Sequence, residues 1–186
     1  MYGGRTPPNN VGRCPAAPSP FPQPRPNGHD RPMASTSPAP TSLPDLQAVQ
    51  QQSKRFGSTV FWATTRPDGR PHVVPVAAGW IDGALTAFVL TSSVKVANLR
   101  RDRRAMAHWN VSEATGWDSL MIEGTVTVVD DTTGRTALWG RMGYDLVPFE
   151  PGGPSADSHV FLQLTPTRAT LLEMYGIRGR HHWRAA

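Results

Sequence analysis

The sequence predicts a mainly β, α+β domain of six or seven mostly antiparallel strands with two or three helices, the strands closed into a barrel. Three observations carry that reading. Short runs of β-branched and aromatic residues recur from Thr59 onward, separated by turn signals such as Arg66-Pro67-Asp68-Gly69 and Asp82-Gly83. One run, Ser119 to Val129, puts Val126 and Val128 on one face and Thr125 and Thr127 on the other, the period of a half-buried strand. Closure removes the exposed edges that so many short strands would otherwise leave.

The elements follow in order. Ser42 or Asp45 can cap a helix through Leu46, Val49 and Gln50 to about Arg55. Strands are expected over Thr59 to Thr65, Pro71 to Trp80 and Ala84 to Leu90. Ser92 or Ser93 then caps a short helix over Val94 to Arg101. Ala105 to Val111 and Ser119 to Val129 read as further strands, and Asp130 or Asp131 caps a helix through Ala137, Leu138 and Met142. Pro148 to Ser158 is a Pro/Gly loop, and His159 to Leu164 with Ala169 to Tyr175 read as a final hairpin.

Composition divides the chain. Eleven of the nineteen prolines fall in residues 1–41, which hold almost no large aliphatic side chain. Such a segment cannot bury enough apolar area to offset its chain entropy, so 1–41 is expected to be a disordered or loosely polyproline tail ahead of a domain spanning 42–186. Cys14 stands alone, which excludes an internal disulfide. No apolar run approaches the ~18 residues of a membrane span, and the first thirty residues lack a signal-like apolar stretch, so a cytoplasmic protein with no membrane partner is expected. Net charge is +5, but residues 1–41 contribute +3 of it. A nearly neutral domain argues against nucleic acid as a partner.

Three motifs appear in sequence. Thr64-Thr65-Arg66-Pro67-Asp68-Gly69-Arg70-Pro71-His72-Val73-Val74-Pro75-Val76 is followed by Ser93-Val94-Lys95-Val96-Ala97-Asn98-Leu99-Arg100-Arg101-Asp102, and then by Glu123-Gly124-Thr125. Together they resemble the pyridoxamine 5′-phosphate oxidase-like family, whose fold is the FMN-binding split β-barrel. Leu138-Trp139, Pro151-Gly152-Gly153-Pro154 and Leu164-Thr165-Pro166-Thr167-Arg168-Ala169 are similar to its general stress protein 26 branch. The opening hairpin and the Arg-Arg-Asp segment look closer to the branch that uses the deazaflavin coenzyme F420. The resemblance implies a homodimer with FMN or coenzyme F420 at the subunit interface, the ring along the second strand and the phosphate at the third strand and following helix.

The residues support specific roles. A helix start offers free N–H groups to a phosphate, to which Ser93 adds a hydroxyl and Lys95 a full charge. The plainer alternative is that Ser93 only caps the helix and Lys95 is solvated. Val73, Val74, Pro75 and Val76 would form the strand under the ring. Pro75 cannot donate to a ladder and so marks an edge that leaves neighbouring main chain free. Val94 stands where the family often has Arg, so either Arg70 or a residue of the Arg100, Arg101, Arg103, Arg104 cluster compensates, or phosphate affinity is low. The plainer reading of that cluster is a solvated helix end near the C-terminal dipole; as a diffuse basic surface it favours the deazaflavin, whose tail carries more negative charge. Trp109 and Trp183 line the cofactor cleft on family position, while the other tryptophans fill core or interface.

His181-His182 has no ligand-spaced partner, so no metal is expected. No catalytic side chain is assigned either, because in a flavin enzyme the redox chemistry belongs to the cofactor. The expected function is an oxidoreductase moving a hydride between a bound flavin or deazaflavin and a small-molecule substrate. A non-enzymatic flavin-binding stress protein is the alternative, and a haem-binding relative on the same barrel a third.

Overall fold

The computed structural model describes residues 42–186, so the tail expected over 1–41 lies outside the described residues. The chain enters through α1 (Leu46–Ser53), where the Asp45 carboxylate accepts the Ala48 N–H at 2.8 Å as an N-cap. A 3₁₀ turn, Lys54–Phe56, leads to β1 (Thr59–Thr65), β2 (Pro71–Ile81) and β3 (Ala84–Leu90). The helix α2 (Val94–Arg101), β4 (Arg104–Trp109), β5 (Ser119–Val129) and α3 (Thr132–Trp139) follow, then β6 (His159–Glu173) and β7 (Gly179–Arg184).

All strand pairs are antiparallel, in the order β3-β2-β1-β4-β5-β6-β7, and β3 also pairs with β6. That last pairing closes six strands into a barrel. It works because β6 changes partner along its length: His159–Leu164 lies against β3, while Arg168–Glu173 lies against β7. The final hairpin is therefore β6–β7, and not the one expected between His159–Leu164 and Ala169–Tyr175. Pro166 in the intervening run reads as a turn but sits opposite Gly124, where the β5–β6 register shifts. A Cβ at Gly124 would collide with the Thr165 carbonyl, so glycine is what lets the strand continue.

Alternate residues of each strand fill the barrel. Val60 and Trp62 of β1, Leu85 and Ala87 of β3, Ala107 and Trp109 of β4, Leu120 and Ile122 of β5, and Leu162 and Leu164 of β6 are buried together. α2 adds Val96 and Leu99 to the same core. A second cluster, Ile81, Leu138, Met142, Leu146 and Phe161, seats α3 and its following segment on the outside. α3 stops at Trp139, short of Met142, and Gly140 follows it; Met142 is buried all the same. β4 ends at Trp109, before the expected Val111, because Ser112 starts a 3₁₀ turn over Glu113–Thr115.

The barrel is split on one side. β2 pairs with β1 from Pro71 to Ala77, but with β3 only from Ala78 to Ile81. The Pro71–Ala77 half of β2 therefore has a free edge.

Candidate cofactor-binding site

The ladder fixes which groups that edge presents. Arg66 N–H donates to the Arg70 carbonyl (2.9 Å) and Ala78 N–H to the Ser58 carbonyl (2.8 Å), one at each end of the β1–β2 pairing. Antiparallel pairs alternate between bonded and non-bonded positions, so Pro71, Val73 and Pro75 direct their main chain away from β1. Pro71 and Pro75 have no N–H, which leaves three carbonyls and the Val73 N–H on the open side. None has a main-chain partner outside its ladder among the described residues. Val74 and Val76 instead turn their main chain to β1 and are half-buried, Val76 against the core.

Beyond β3, Ser93 takes the N-cap position of α2, as expected, with extended φ/ψ of −72° and 145°. Its hydroxyl makes no capping bond, however, and is buried with no hydrogen-bond partner among the described residues. Only its carbonyl serves the helix, accepting from Val96 N–H at 3.0 Å and Ala97 N–H at 3.3 Å. Lys95 follows, half-buried, with no ion pair or hydrogen bond among the described residues, and burial holds its ammonium below the usual lysine pKa. A buried orphan hydroxyl beside a partly desolvated, unpaired ammonium is costly unless something anionic completes it.

One residue of this corner escaped the sequence reading. His72 lies on β2 beside Val73, and its Nδ1 stands 3.5 Å from the Thr64 hydroxyl. Thr64 in turn accepts 3.0 Å from the buried Asn98 side chain of α2. Burial first, then the charges of Arg66 and Lys95, lower the His72 pKa. The available signal was parity: His72 shares the face of Val74 and Val76, the face that turns inward.

The other candidates are dispersed. Arg70 is exposed and held by Asp68 across the β1–β2 turn, at 2.5 Å. Arg100 pairs with Asp130 at 3.1 Å and Arg104 with Asp102 at 2.8 Å, while Arg101 donates to the Thr65 carbonyl at 2.5 Å. Two of the four clustered arginines thus already face carboxylates, which weakens the electrostatic ground for preferring the deazaflavin. Trp109 is 2% exposed in the barrel core, its indole N–H reaches the Gly57 carbonyl, and it borders a small cleft of about 240 Å³ with Ser53, Trp80 and Leu85. Trp183 packs half-buried against the same core from β7. On the outer sheet face, a cleft of about 660 Å³ runs along Ala63, Thr65 and Pro71 to Arg104, Met106 and Thr125. Among the described residues no group of three or more metal-ligating side chains occurs, and no helix is long and apolar enough to cross a membrane.

A six-stranded antiparallel barrel opened along half of one strand, with short helices packed on it, defines the split β-barrel class. The pyridoxamine 5′-phosphate oxidase family matches residues 48–173, and the chain belongs to that family. A search of the curated proteins finds no match. Among solved structures, a Clostridium acetobutylicum protein related to general stress protein 26 is similar, with a TM-score of 0.62 and 15% identity over 75% of this chain and 96% of that one. A pyridoxamine 5′-phosphate oxidase-related, FMN-binding protein from Nostoc punctiforme gives 0.57 and 16% over 75% and 96%. A haem-binding protein from Mycobacterium smegmatis gives 0.59 and 16% over 76% and 58%. At such identities these likenesses concern the fold.

Proposed function

We propose that this chain binds FMN or the deazaflavin coenzyme F420 and moves a hydride between it and a small-molecule substrate. The reading is supported by three observations: β2 main chain left unpaired by β3 over Pro71–Ala77, Lys95 near enough to His72 of that strand for its charge to act there, and the unpartnered Ser93 hydroxyl at the start of the same helix. Val73 N–H and the carbonyls of Pro71, Val73 and Pro75 would serve the polar edge of a flavin ring. Ser93, Lys95 and the free first-turn N–H groups of α2 would take its phosphate. When bound, the cofactor supplies the hydride acceptor and donor. The protein's part is to place the ring, shield one side with the β2 side chains, and hold the phosphate.

The proposal includes a homodimer. The outer face beside the opening carries Pro75, Phe61 and His108 in one cross-strand row and Val73, Ala63 and Met106 in the next. Phe61 is 37% and Val73 55% exposed. A second copy packed there would cover this apolar face and enclose the ligand. A cytoplasmic location fits redox chemistry on a small metabolite.

The test is a side-by-side titration of the purified protein with FMN and with coenzyme F420, followed by turnover assays with the reduced forms. Saturable binding of one of them, weakened by Lys95→Ala, is expected. Failure to bind either would overturn the proposal. Binding without turnover would leave the non-enzymatic flavin-binding alternative.

A further inference from the structure

We infer that His72 is a proton-coupled positioning residue of the anion site: a phosphate-bearing ligand held by Ser93 and Lys95 draws a proton onto His72, so the site binds anions more tightly in mild acid. This rests on the phosphate reading of Ser93 and Lys95 given above.

Chemistry and geometry define the starting state. Asn98 Nδ2–H donates to Thr64 Oγ1 at 3.0 Å, which leaves the Thr64 hydroxyl hydrogen free to donate toward His72 Nδ1 at 3.5 Å. In a neutral imidazole an acceptor at Nδ1 puts the proton on Nε2. The hydroxyl can donate to Nδ1 in that tautomer or accept from Nδ1–H in the other, so Thr64 meets the ring in either state. Asn98 is 2% and Thr64 4% exposed, so this support is shielded from water.

The groups facing His72 come from three elements. Thr64 is on β1, Arg66 follows it in the β1–β2 turn, and Lys95 and Asn98 are on α2. Both charged ones are cations, and with no anion present they oppose protonation of the ring. A phosphate at Lys95 reverses the local balance. It offsets the ammonium and adds negative charge that favours imidazolium. Thr64 Oγ1 has a second lone pair, so the hydroxyl can turn and accept from the newly protonated Nδ1 while still accepting from Asn98. The proton comes from solvent, and no other bond changes. By linkage, whatever the anion adds to the His72 pKa returns as affinity at low pH. A rise of about one unit corresponds to roughly tenfold tighter binding. The same coupling makes the resting site, with neutral His72, less strongly cationic.

Sulfate is the probe, because it does not titrate in this range whereas the phosphate of FMN does. The His72 imidazole resonances of the whole protein, assigned by their loss in His72→Gln, are titrated with pH at constant ionic strength, with and without sulfate. The inference expects the His72 pKa to rise on adding sulfate. It also expects wild type to bind sulfate several-fold more tightly at pH 6 than at pH 8, with that ratio collapsing toward one in His72→Gln. A His72 pKa indifferent to sulfate that does bind would overturn the inference and leave the anion site standing. Sulfate affinity equal in wild type and Lys95→Ala would instead remove the anion site, and the inference with it. If His72→Gln folds poorly, the wild-type ratio of sulfate affinity between pH 6 and pH 8 still decides the matter, a ratio of one overturning the inference.

Discussion

The Asn98 amide of α2 donates to the Thr64 hydroxyl of β1 across 3.0 Å, with both side chains buried. This bond ties the helix that carries Ser93 and Lys95 to the strand behind the open β2 edge. It is the link between the barrel and the candidate site.

Asn98→Ala removes the 3.0 Å bond to the Thr64 hydroxyl and leaves that buried group only the longer 3.5 Å contact with His72. A loss of about 1–3 kcal/mol in urea unfolding is expected, the cost of a buried unsatisfied group. Because the two residues form one unit, the double variant Asn98→Ala with Thr64→Val should cost less than the sum of the single changes. Additive losses would show that the contact contributes nothing.

Lys95 should separate function from stability. Removing a charge-assisted bond to phosphate costs roughly 1.5–3 kcal/mol, or roughly ten- to 150-fold in cofactor affinity. The same lysine is half-buried and unpaired in the structure described, so Lys95→Met relieves desolvation. Its melting temperature without cofactor should equal or exceed that of wild type while binding collapses. A less stable variant, or one that binds cofactor normally, would contradict the assignment.

His159 should make the fold acid-sensitive. Its ring is fully buried among Phe88, Trp139 and Phe161, neither nitrogen has a hydrogen-bond partner among the described residues, and the Glu150 carboxylate is 3.8 Å away. Burial first, then Arg135, lower its pKa, against opposing contributions from Glu150 and Asp157. With the folded pKa below the unfolded one, the unfolded chain takes up the proton first as pH falls through about 6.5. Stability is then full above that pH and declines below it. His159→Phe should reduce the loss between pH 7.5 and pH 5.5 by on the order of 1 kcal/mol, read from denaturant midpoints. An unchanged pH profile would assign the acid sensitivity elsewhere.

The arginine pairs make a prediction about cofactor choice. Asp130 competes with any anionic tail for Arg100, at a separation of 3.1 Å and with both partners half exposed. Asp130→Asn should therefore strengthen coenzyme F420 binding about two- to fivefold at low salt, the scale of an exposed ion pair. The gain should fade toward physiological salt, where screening acts over about 8 Å. FMN affinity should change little. Equal gains for both ligands, independent of salt, would point away from the tail.

Local chemistry was enough to delimit most of this fold from sequence. The bounds of β1, β3, α2 and β5 follow from side-chain period, caps and the Pro-Asp-Gly and Asp-Gly turns, all of which act within a few residues. The family motifs added the barrel and pointed to Ser93, Lys95 and the β2 strand. Long-range contacts decided the rest. Pro166 reads locally as a turn, and only its position opposite Gly124 lets β6 run on to meet β7. Trp109 has the size to line a cleft or fill a core, and closure of the barrel buries it in the core while it still borders a small cleft. Arg100 reads as a free cation until Asp130, thirty residues on, is brought alongside it. His72 gained significance only when Thr64 and Asn98, from separate elements, were folded against it. Sequence period records which face a side chain takes; which partner waits on that face is set by strand pairing and helix placement, and those are properties of the whole chain.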